Sequence, residues 1–101
     1  MNQIERIKYM EKILDEANEV VNKLSDALDT YSALRDKYRE LLDYYSGDDW
    51  LKDFDTDEAG NLPEDLKRGV LSEDAVYDLI SKNHILTVQM LEIVTANVKN
   101  I

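Results

Sequence analysis

Residues 2–46 read NQIERIKYMEKILDEANEVVNKLSDALDTYSALRDKYRELLDYYS, a run with neither glycine nor proline. Those two residues disfavour helices most, so their absence permits one long helix. Within the run, apolar residues return at alternating steps of three and four. One row is Ile7, Leu14, Val21, Leu28, Arg35 and Leu42; its companion is Met10, Ala17, Leu24, Tyr31, Tyr38 and Tyr45. These are the a and d positions of a heptad repeat. Glu5, Glu11, Lys12, Asp15, Glu16, Glu19 and Lys23 fill the other faces. The spacing predicts a helix over about 2–46, with Gly47 as its stop. Ser25, Asp26, Asp29, Thr30 and Ser32 are indifferent helix formers, so a bend near 25–32 is the alternative to one continuous helix.

Working outward, a second helix is expected over about 72–100. Ser72 suits its N-cap, Glu73 and Asp74 its first turn, and Leu71 can staple onto Val76. Val76, Leu79, Ile80, Leu86, Met90, Ile93, Val94 and Ile101 follow at helical spacing. Between the helices lies a connector over about 47–71. Trp50, Leu51 and Phe54 form one face of a helical turn that Asp48 or Asp49 can cap. Gly60 and Asn61 mark a turn, and Pro63 with Glu64 and Asp65 suits the start of a short helix over about 63–68.

The fold class is therefore all-α. Residues 1–101 form one domain in which a long N-terminal and a C-terminal helix make an antiparallel, coiled-coil-like hairpin across the connector. The shorter last helix leaves Ile4, Ile7, Met10, Ile13 and Leu14 bare, and an apolar row of that size marks an interface. Self-association as an antiparallel dimer is the expectation; folding back at 25–32 into a three-helix bundle is the alternative. Arg35 and Asn83 interrupt their apolar rows, and a facing polar pair would fix the hairpin's register.

The net charge of −10 is unevenly spread. Residues 1–47 carry 7 basic and 10 acidic groups, residues 67–101 carry 4 of each, and residues 48–66 carry 1 basic and 8 acidic. Direct nucleic-acid binding, which needs clustered Lys and Arg, is not expected. No apolar run approaches the roughly 20 residues of a membrane span. With no cysteine there is neither a disulfide nor a thiolate metal site, and a reducing, cytoplasmic location is expected.

The block from Trp50 to Asp74, WLKDF followed by LPEDLKRGVLSED, resembles the signature of a bacterial family of domains of unknown function about a hundred residues long. The resemblance covers nearly the whole chain and implies a bacterial, Gram-positive-like cytoplasmic protein. It implies no activity, cofactor or catalytic residue.

Chemistry-bearing patterns are few. Asp53, Asp55 and Asp57, with Glu64 at the twelfth position, echo a calcium loop, whose spacing wraps backbone around a hard cation. Glu58 replaces the glycine needed at the sixth position, Gly60 stands at the apolar eighth and Pro63 at the eleventh, which favours a solvated acidic loop. The same segment is a candidate docking surface: Trp50 and Phe54 beside Asp48, Asp49, Asp53, Asp55, Asp57 and Glu58 suit a basic protein partner. The competing reading puts both rings at the open end of the core. The Tyr31, Tyr38, Tyr45 row reads as packing, and the lone His84 as surface. No catalytic motif and no cofactor are indicated. The expected function is a non-enzymatic protein–protein interaction module acting through the acidic connector or the bare stripe. A structural coiled-coil spacer and an acidic nucleic-acid mimic that binds a DNA-binding protein are the alternatives.

Overall fold

The computed structural model describes residues 1–100; Ile101, placed by its spacing in the last helix, lies outside the described residues. Four helices follow in order among them: α1 (Gln3–Ala33), α2 (Arg35–Tyr45), α3 (Asp48–Glu58) and α4 (Ala75–Lys99), with a 3-10 turn at Gly69–Leu71. No strand occurs among the described residues, as the all-α reading requires. The chain divides into two units, Met1–Glu40 and Leu41–Ile101.

In the first unit α1 opens on a reciprocal cap that the sequence reading passed over. The Glu5 N–H donates to Asn2 Oδ1 at 2.8 Å, and the Asn2 N–H donates back to the Glu5 carboxylate at 3.4 Å. Two of the otherwise orphaned amides at the helix start are thereby satisfied. The expected unbroken helix over 2–46 is corrected at one residue. The Leu34 N–H turns to Tyr31 O, three residues back, at 3.2 Å, and ordinary helix resumes when the Tyr38 N–H reaches Leu34 O at 2.9 Å. Leu34 keeps right-handed helical angles, φ −76° and ψ −15°. The stretch of weak helix formers lies just upstream. The Thr30 hydroxyl donates to Asp26 O at 3.1 Å, competing with the backbone for that carbonyl, a contact that bends helices.

The second unit starts from the end of α2. There Ser46 Oγ donates to Leu42 O at 2.9 Å and the Gly47 N–H to Tyr44 O at 3.1 Å. A Cβ on Gly47 would meet Asp43 O at 3.0 Å, so a glycine suits this crowded corner. Gly47 is also the N-cap of α3, in place of the expected Asp48 or Asp49. Those two acids instead occupy the first turn, where the helix dipole favours them.

The single helical turn expected around Trp50 and Phe54 is an eleven-residue helix. It closes at Gly60, whose φ of +74° is left-handed. The Gly60 N–H reaches Asp57 O at 2.9 Å and the Asn61 N–H reaches Thr56 O at 3.1 Å. This is the paired C-terminal cap that glycine makes without a Cβ penalty. The short helix expected over 63–68 is absent: Pro63 O accepts from the Leu66 N–H at 3.2 Å and the turn goes no further. Six residues give too few hydrogen bonds to offset helix nucleation.

The last helix begins at Ala75, three residues later than expected, yet Ser72 does its capping work: Ser72 Oγ accepts the Ala75 N–H at 3.1 Å. Leu71 and Val76, the expected staple, are 6% and 4% exposed, the only buried residues among those described. The 3-10 turn packs against both α3 and α4, and this junction is the core of the unit. Among the described residues no helix is long and apolar enough to cross a membrane.

Candidate functional site

The acidic connector folds around one aromatic column. At 3.6 residues per turn, Trp50 and Phe54 share one face of α3, and their rings stack with centroids 5.1 Å apart and planes 19° from parallel. Tyr45, at the end of α2, meets Trp50 edge-on at 5.3 Å and 74°. The Trp50 indole N–H donates to Val70 O at 2.9 Å, twenty residues along the chain. Both rings proposed for docking thus have partners within the unit and are half-buried.

The carboxylates divide into two classes. Asp53 and Asp57 lie four apart, on one side of α3, and each is engaged. The Tyr44 hydroxyl donates to Asp53 at 2.6 Å, tying α2 to α3. Arg68 pairs with Asp57, tying the returning chain to the same helix. The charged Asp53 acceptor, chiefly through that hydrogen bond, holds the Tyr44 proton and pushes its pKa from 10.0 up to about 12. Asp48, Asp49, Asp55 and Glu58 are exposed.

This arrangement does not make a cation loop. A calcium loop curls extended backbone so that alternate side chains converge. In a helix, two residues are 200° apart, so α3 carries Asp55 away from Asp53 and Asp57, and Glu64 lies beyond the Gly60 cap in the turn at Pro63. No group of three or more His, Asp or Glu side chains among the described residues is placed to hold a metal ion. His84 is exposed on α4.

Sequence reasoning missed the Tyr44–Asp53 and Arg68–Asp57 contacts. The signal available was the i, i+4 spacing of the two aspartates, which puts them on one helical face.

The other candidate surface belongs to the first unit. Ile4, Ile7, Met10, Ile13 and Leu14 are 42–65% exposed, and no residue of α1 is buried. The apolar face is wider than the a and d rows alone. Ile13, Val20, Ala27 and Leu34 add the g position, so three of every seven residues are apolar. Such a face suits a helix that packs in a bundle, whereas the a and d rows alone make a narrow two-stranded seam.

Residues 7–93 match the family described as a domain of unknown function, DUF4298. No curated protein and no solved structure matches the chain. The match spans most of the chain, and the protein belongs to this family.

Proposed function

We propose that this DUF4298 protein is a non-enzymatic, cytoplasmic helical module that works by protein–protein association, and that its first partner is a second copy of itself. The observation that supports this is the uncovered face of α1, where Ile4, Ile7, Met10, Ile13 and Leu14 all remain exposed. A helix in water draws most of its stability from packing its apolar face, and burying each such side chain contributes about 1.5–3 kcal/mol. An α1 that stays wet forgoes that contribution; an antiparallel copy supplies it.

The acidic side of α3 has a secondary role. Asp48, Asp49, Asp55 and Glu58 keep their charge in solvent and suit a basic segment of another protein. Trp50 and Phe54 position that helix through the aromatic column.

Light scattering at two protein concentrations and two salt levels tests the reading. The expected mass is twice 11.7 kDa, and it holds at high salt because apolar pairing is not screened. Ile7→Asp combined with Leu14→Asp should return the mass to that of one chain. A wild-type mass of 11.7 kDa at every concentration overturns the proposal.

A further inference from the structure

The chain has 12 Lys and Arg residues, of which four lie in α1, three in α2, one in α3 and two in α4. Lys67 and Arg68 alone stand in irregular backbone. They end a strap over 61–68 that runs from the Gly60 cap to the 3-10 turn. Among the described residues, the one backbone hydrogen bond made within this strap is that of the Leu66 N–H to Pro63 O, at 3.2 Å. Glu64, Asp65, Leu66 and Lys67 are all exposed. An endopeptidase takes its substrate as an extended strand. A bond in a helix must therefore be unwound first, whereas an exposed irregular segment presents its backbone at little cost.

The two basic side chains differ in a way that selects one bond. A protease that reads a cation takes the whole side chain into its specificity pocket. Lys67 is exposed and makes no ion pair among the described residues. Arg68 is half-buried and its guanidinium is held by Asp57, the two side chains being 34% and 21% exposed. Withdrawing Arg68 into a pocket would leave Asp57 without its cation.

We propose that the Lys67–Arg68 peptide bond is this chain's site of limited proteolysis, open to an endopeptidase that recognises lysine and closed to one that recognises arginine. One water is consumed: the C–N bond breaks, Lys67 keeps a new carboxylate and Arg68 gains a new ammonium. The cut separates α3 from α4 along the chain, while the Trp50–Val70 and Asp57–Arg68 contacts cross it. The inference is local to the connector and independent of the self-association proposed above.

Time courses of native digestion of the full chain, one with a lysine-specific and one with an arginine-specific endopeptidase, test the proposal when fragments are assigned by mass. The first internal cut by the lysine-specific enzyme should fall after Lys67, at least about tenfold faster than at any lysine within a helix. The arginine-specific enzyme should leave the bond after Arg68 intact over the same period. Lys67→Gln changes an exposed side chain and should remove the early cut without altering the thermal melt. Asp57→Asn frees the guanidinium and should open the bond after Arg68 to the arginine-specific enzyme. Because that variant can loosen the whole unit, Lys67→Gln gives the independent reading. A first internal cut at a helical lysine overturns the proposal, as does wild-type cleavage after Arg68 as fast as that after Lys67.

Discussion

The two units are ordered by different means. Met1–Glu40 is regular and locally bonded: a cap joining Asn2 to Glu5, an exposed ion pair between Glu19 and Lys23 at 2.9 Å, and helical turns. The unit from Leu41 onward is irregular in backbone but closed by contacts distant in sequence, from Trp50 to Val70, Arg68 to Asp57, and the Leu71–Val76 junction with the 3-10 turn. The first has an extensive apolar face with nothing of α1 buried. The second has a small core and specific fasteners. Regularity and fastening by contacts distant in sequence are thus separate properties of this chain.

The strongest way to break this comparison is Trp50→Ala. It removes the stack on Phe54, the edge contact with Tyr45 and the hydrogen bond to Val70, and should destabilise the second unit by about 2–3 kcal/mol, less than a fully buried tryptophan would cost. Residue-resolved amide exchange should show α3 opening while the middle of α1 is unchanged; equal loosening of both would mean that the units are not separately fastened. Next comes Arg68→Ala, which leaves the half-buried Asp57 without its cation. A loss of about 1–2 kcal/mol in urea unfolding is expected, with Arg68→Lys recovering part of it.

Tyr44→Phe should cost less, about 0.5–1 kcal/mol, because the hydrogen bond to Asp53 faces solvent. Its signature is in pH. Folding raises the Tyr44 pKa, so the folded state holds this proton more tightly than the unfolded one. The contribution is whole below pH 10 and is lost as pH climbs from 10.0 to about 12. Thermal melts of wild type and Tyr44→Phe should therefore converge across that window. Smallest of all is Lys23→Ala, which breaks an exposed i, i+4 pair and should shift stability by only about 0.3–0.5 kcal/mol. A larger effect would mean that α1 relies on its surface charges more than the comparison allows.

The sequence spoke clearly where local rules act alone. The stop at Gly47 and the turn at Gly60 each rest on one or two neighbouring residues. It misled where a side chain is drawn to something distant. Pro63, Glu64, Lys67 and Arg68 have the charge order of a short helix, but Arg68 serves Asp57 instead. The aspartates of 53–57 suggest a loop by composition, yet two of them have partners outside the helix and α3 runs through them. The interruption at Leu34 fell just beyond the stretch that weak propensity had flagged. For the candidate surfaces, the α1 stripe was legible from heptad spacing. The engagement of Trp50 and Phe54 as internal fasteners was one of two readings, and only the fold shows their contacts.

Trp50 is the only tryptophan in the chain, and it stands between Tyr45 and Phe54 with its indole nitrogen held by a carbonyl. Its emission colour and its excitation through the neighbouring tyrosine therefore report on a single locality. Fluorescence follows the fastening of the connector, whereas far-ultraviolet dichroism is weighted towards the long helices. The protein thus carries its own two-channel optical readout, and any divergence between the channels during denaturation assigns the event to one part of the molecule without a label.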